Sequence, residues 1–121
     1  MMGLVKRLCF LVALAWSLTP SVALPMTWGE VLEPAPGAPY VIGSYTAGCV
    51  QGAIPLPLGG RGYQVMRPQR RRFFGHPLLV RYLQELGAAA DQKGLGVLLI
   101  GDLGQPRGGP MPFGHRSHQI G

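Results

Sequence analysis

Helix breakers are spread through this chain at a density that few regular elements can survive, with 19 glycines and 12 prolines among its 121 residues. Glycine loses the most backbone freedom on folding, and proline removes a hydrogen-bond donor. The glycines follow no three-residue period, which excludes a collagen helix, and such frequent breakers exclude a coiled coil. Yet 47% of the residues are hydrophobic, too many for a wholly disordered chain. The length accommodates a single domain.

Part of that apolar content is concentrated at the start. Lys6 and Arg7 precede an apolar run from Leu8 to Leu18, Thr19-Pro20 breaks it, and Ser21-Val22-Ala23 supplies small residues for a signal peptidase. This layout predicts a secretory leader over 1–23 and a mature domain over 24–121. A spanning helix needs about 20 apolar residues, so no stable membrane anchor is expected after cleavage. Lys6 and Arg7 leave with the leader, so nine Lys and Arg remain against five acids, a net +4 in place of +6.

The densest basic run is Arg67-Pro68-Gln69-Arg70-Arg71-Arg72, followed by Phe73-Phe74. In an exported chain it reads as a solvated turn before a helix, or as a patch facing an acidic polymer, and not as a nucleic-acid surface. Cys9 lies in the leader, which leaves Cys49 alone in the mature chain. Two readings of Cys49 stand open: a buried thiol packed as a small hydrophobe, or a cysteine whose disulfide partner lies outside this chain.

One helix is predicted, from Pro77 to Gln92. Proline suits its first position, Leu78, Leu79, Tyr82, Leu83, Leu86 and Ala90 form an apolar stripe, and Gly94 and Gly96 stop it. Strands are expected over Tyr40–Tyr45, ended by Gly48 and Cys49, over Tyr63–Arg67, and over Gly96–Ile100. The last is a continuous apolar run of the kind buried on both faces. Trp28–Pro39 reads as an extended arm, Gly52–Gly60 as a turn-rich connector, and 101–114 as an irregular loop. One helix on a small sheet joined by long Gly/Pro loops makes an α+β fold. A single helix covers only one face of the Gly96–Ile100 strand, so the domain is expected to be incomplete.

The candidate chemistry is at the end of the chain. His115 and His118 stand three apart between Gly114 and Gly121, and imidazole is the commonest side-chain ligand of zinc. His76, beside Pro77, reads as a structural residue at the helix start. Asp102, at a strand end, reads either as a loop-capping carboxylate or as a group orienting a histidine.

The segment Gly-His-x-Ser-His-Gln-x-Gly at 114–121 resembles the zinc-ligand segment of the penicillin-insensitive murein endopeptidases. The similarity continues upstream through Ile42-Gly43-Ser44 with Gly48-Cys49, Tyr63 to Arg67, Phe74-Gly75-His76-Pro77 with Leu79, Val97 to Asp102, and Gly108-Gly109. Arg116, Ile120 and the Pro110-Met111-Pro112-Phe113 approach depart from the family pattern. The resemblance implies a zinc D-Ala-D-Ala-peptidase-like fold, of which this chain is the N-terminal part with the C-terminal half missing. It implies a periplasmic zinc metallopeptidase that hydrolyses peptide cross-links in peptidoglycan. Zinc there lowers the pKa of a bound water to about 7, and a histidine assists proton transfer to the leaving amine. Carried over by position, His118 matches an active-site zinc ligand, His115 the neighbouring motif histidine, and Cys49 a cysteine that pairs downstream.

Two function classes follow: part of such an enzyme, inactive as this chain, or a non-catalytic exported remnant that binds peptidoglycan or a protein partner. The secreted product is expected to begin at Leu24. Intact-mass measurement checks this, and a product that retains Met1 overturns the leader assignment.

Overall fold

The computed structural model describes residues 24–112 and 118–120. The leader over 1–23 and His115 lie outside the described residues. Among those described, no helix is long and apolar enough to cross a membrane.

A hairpin replaces the single strand expected over Tyr40–Tyr45. β1 (Tyr40–Ser44) turns through Tyr45-Thr46 and returns as β2 (Ala47–Gln51), antiparallel, with Ile42 opposite Cys49 and Ser44 opposite Ala47. Gly48 and Cys49 therefore sit inside a strand, not at its end. Neither residue advertises a strand by propensity, and pairing with β1 overrides that. The arm before it opens with a 3₁₀ turn at Trp28–Glu30 and then runs extended. Ala35 bridges to Gln51, and the Gly52 amide donates to the Ala35 carbonyl at 2.9 Å.

The Gly52–Gly60 connector holds two short strands, β3 (Ile54–Pro55) and β4 (Gly59–Gly60). β4 pairs antiparallel with β5 (Tyr63–Val65), and β3 pairs antiparallel with β6 (Phe74–Gly75). α1 (Pro77–Gln92) then carries the chain to β7 (Leu98–Ile100), which lies parallel to β5 with Gln64 opposite Leu99. The sheet order β4-β5-β7 places β7 at an edge. The observed elements make an α+β arrangement of one main helix and small sheets, as the sequence predicts.

α1 keeps the predicted bounds. His76 Nδ1 accepts from the Leu78 amide at 3.2 Å and caps the first turn, the structural role expected of it. Gly94, at φ +65°, ends the helix. Half of the predicted stripe faces the core: Ala90 is buried and Leu79 and Leu83 pack against the main cluster, joined by Val80 and Gly87, while Leu78, Tyr82 and Leu86 are exposed. Gly87 explains this rotation of the buried face. A Cβ there would stand 2.8 Å from the Arg61 carbonyl oxygen and 2.9 Å from Tyr63 Cδ1, so the helix approaches the sheet closest where it has no side chain.

Leu56, Tyr63, Val65, Val80 and Leu103 form the main core, and Val50, Ala53 and Phe74 a smaller one. Phe73 packs against both, and its ring stacks on Phe74 with centroids 4.9 Å apart. The double burial expected of Gly96–Ile100 is not found. Leu98 and Ile100 pack toward the core, whereas Val97 and Leu99 are 61% and 62% exposed. Successive side chains alternate between faces, and α1 covers one of them.

Val80→Ala is expected to destabilise the fold by about 2 kcal/mol through the cavity it leaves. Leu78→Ala should change stability by less than about 0.5 kcal/mol. Urea unfolding of the two variants checks the facing of the helix.

Candidate functional site

Over its described part, 101–112, the expected loop is irregular but not a loose surface excursion. Asp102, Leu103, Gln105, Pro106 and Met111 are buried. Gly104 exchanges both backbone hydrogen bonds with Phe74, at 2.9 and 3.0 Å, and the Val50 amide donates to the Arg107 carbonyl at 3.0 Å. Inside the loop, Gln105 Nε2 stands 3.1–3.3 Å from the carbonyl oxygens of Gly108, Gly109 and Pro110, and so gathers three acceptors onto one amide. Trp28 covers this turn. A Cβ at Gly109 would run into its indole, and one at Gly108 into the Gln119 carbonyl, so the Gly108-Gly109 pair is required by close approach from two sides.

Gln119, next to His118, is pinned by hydrogen bonds from its backbone and its side chain. Its backbone amide donates to the Tyr45 carbonyl at 3.1 Å, and its carbonyl accepts from the Gly109 amide at 2.8 Å. Its side chain accepts from the Gly48 amide at 3.2 Å and donates to the Thr46 carbonyl at 2.7 Å. Four hydrogen bonds thus fix this residue between the β1–β2 turn and the Gly108-Gly109 turn. His118, its neighbour, is half-buried at that junction. Cys49 forms an isolated backbone bridge with Gly108, the neighbour of the Gly109 that donates to the Gln119 carbonyl. Cys49 is a half-buried free thiol in this chain.

The imidazole of His118 is a suitable zinc donor, but a site needs three or four ligands. Among the described residues no group of three or more His, Cys, Asp and Glu side chains gathers to hold a metal. The described residues therefore do not complete a metal site, and His115 lies outside them.

Asp102 does not serve as a histidine orienter among the described residues. Its side chain is 1% exposed and faces three arginines: Arg72 Nη1 at 3.1 Å, Arg70 Nη1 at 3.2 Å and Arg67 Nη2 at 3.9 Å. The basic run is therefore more than a solvated turn, since the Arg72 side chain is only 4% exposed. The Leu103 amide also donates to the Arg72 carbonyl at 2.7 Å. Burial of its own would raise the Asp102 pKa. Hydrogen bonds from Arg72 and Arg70, with their charges, outweigh that and hold it below the ordinary 3.8.

The sequence pattern singles out His118 but not the residues around it. Gln119 was visible only as a motif letter, and nothing in the local pattern of Trp28, Gln105 or Arg72 announces a partner far along the chain.

Comparison with known proteins bears on the same residues. The family model described as penicillin-insensitive murein endopeptidase matches residues 41–121. Proteins of that name from Salmonella paratyphi B, Salmonella newport and Salmonella heidelberg are each 47% identical to this chain over 108 residues. The match covers 89% of this chain and 39% of each relative.

A carboxyl with a lowered folded-state pKa stabilises fully above its unfolded value, and the contribution is lost as pH falls through the folded value. Asp102→Asn removes the negative charge opposite the buried Arg72 guanidinium, so it should cost about 3 kcal/mol at pH 7. The variant should also lose less stability than the parent on acidification below pH 3.8. Urea unfolding at pH 7 and pH 3 measures both effects.

Proposed function

The chain belongs to the penicillin-insensitive murein endopeptidase family, and on that premise we propose that it is the N-terminal part of a zinc-dependent, periplasmic hydrolase of peptide cross-links in peptidoglycan. It spans about two-fifths of the length of the curated relatives it matches. The observation that carries the reading is the Gln119 pin. Gln119, within the segment that resembles the family's zinc-ligand motif, makes four hydrogen bonds to the β1–β2 turn and the Gly108-Gly109 turn.

His118 and His115 are the residues proposed to hold zinc, with the remaining ligands supplied by polypeptide outside this chain. Zinc so held would furnish a water of lowered pKa and a Lewis acid for the scissile carbonyl. This chain's own contribution is positional. The hairpin turn and the Gly108-Gly109 turn fix Gln119, the residue next to His118, and a ligand held rigidly loses less entropy on coordination. Cys49, bridged to Gly108, is the residue proposed to anchor polypeptide outside this chain by a disulfide. The half-covered β7 supports an incomplete domain of the zinc D-Ala-D-Ala-peptidase kind, since its apolar outer face calls for another layer.

The chain alone is expected to release no peptide from murein sacculi and to bind zinc weakly. A form extended by the family's C-terminal portion is expected to cleave cross-links, to lose activity to a chelator and to keep it in the presence of a β-lactam. Tight stoichiometric zinc binding and cleavage by the 121-residue chain would contradict the proposal. A stable product with no such continuation encoded downstream would favour a non-catalytic, wall-binding remnant.

A further inference from the structure

The arginines around Asp102 outnumber what that carboxylate needs. Arg72, buried with it at 3.1 Å, already forms a one-to-one ion pair. Arg70 adds a second guanidinium at 3.2 Å and Arg67 a third at 3.9 Å, which leaves two positive charges in excess around one anion. Those two side chains are also the accessible ones, 34% and 42% exposed against 4% for Arg72. A guanidinium carries five N–H donors in a planar fork that matches a carboxylate in bidentate fashion. One nitrogen of each is turned to Asp102, so both forks retain donors toward solvent.

The backbone holds them in place at a cost. Arg67 and Arg71 both lie in the left-handed region, at φ +52° and +54°, on either side of the 3₁₀ turn Pro68–Arg70. The turn is closed by the Arg70 amide on the Arg67 carbonyl and the Arg71 amide on the Pro68 carbonyl, both at 3.0 Å. Non-glycine residues adopt that region rarely, and two so close together persist only where the surroundings over-determine them. Arg71, exposed, adds a further positive charge to the same turn.

We propose that Arg67 and Arg70, held over the buried Asp102, form a subsite for a free carboxylate of a murein stem peptide. The source of the ligand rests on the murein reading above, and the chemistry rests on the geometry of the guanidinium pair. Asp102 orients the forks from below, and the incoming carboxylate takes the outward donors and offsets the excess charge.

The test is calorimetric titration of the full chain, at low salt, with an N-acetylated tripeptide ending in D-Ala-D-Ala, as the free acid and as the C-terminal amide. The acid is expected to bind at least about tenfold more tightly than the amide, the loss expected for one charge-assisted bidentate contact. The Arg67→Gln/Arg70→Gln double variant, which leaves the Arg72–Asp102 pair intact, is expected to erase that difference. Circular dichroism verifies its fold, and the acid–amide comparison on the unaltered chain stands even if the variant does not fold. Equal affinities, no binding of the acid, or inorganic phosphate binding as tightly as the acid overturns the proposal. Hydrolysis is not read, so acid-selective binding beside an inactive extended form would keep the subsite and sink the murein endopeptidase reading.

Discussion

The buried pair between Arg72 and Asp102 is the contact on which the layout around the histidine motif depends. One partner precedes β6 and the other follows β7, so a single ion pair joins the two ends of the β6–α1–β7 excursion. The 2.7 Å hydrogen bond from the Leu103 amide to the Arg72 carbonyl lies beside it. From this tie the chain passes to Gly104 against Phe74, then to Gln105 and its three carbonyls, then to the Gly108-Gly109 turn and Gln119. Each step positions the next. Such a pair is weak evidence for stability in its own right, because desolvation consumes much of its Coulombic gain. Its effect here is to favour one arrangement, since separating the two takes a buried carboxylate from its nearest guanidinium.

Regular structure was legible in the sequence where it is long or periodic. α1 emerged with its bounds because Pro77 and Gly94 punctuate it, and β1, β5 and β7 emerged from their β-branched and aromatic residues. β3 and β4 did not, being two residues each and made of Ile-Pro and Gly-Gly. Strands of that length are defined by the partner that accepts their hydrogen bonds, not by their own side chains. The rotated face of α1 has a related cause. Hydrophobicity points to Leu78, Tyr82 and Leu86, but packing distance is set by Gly87, and a glycine carries no weight in an apolar stripe.

The site was legible in part, and for a different reason. His118 and Cys49 are residue types whose chemistry identifies them without a structure. Gln105, Gln119 and Trp28 act through backbone carbonyls, amides and a glycine surface, and no sequence pattern encodes which carbonyl a carboxamide will find. Asp102 shows the opposite limit. Read as a loop cap or a histidine orienter, it is neither among the described residues, since its partners are arginines thirty residues and more upstream in a run that reads as a solvated turn.

Phe73 belongs to both hydrophobic clusters and stacks on Phe74 of the smaller one. Neither cluster holds more than five buried residues, too few to repay the chain entropy of a separate folding unit. A shared aromatic makes the two collapse as one. The hairpin that seats Gln119 and the sheet that carries α1 are therefore expected to unfold together, so that heat or denaturant would find a single cooperative transition.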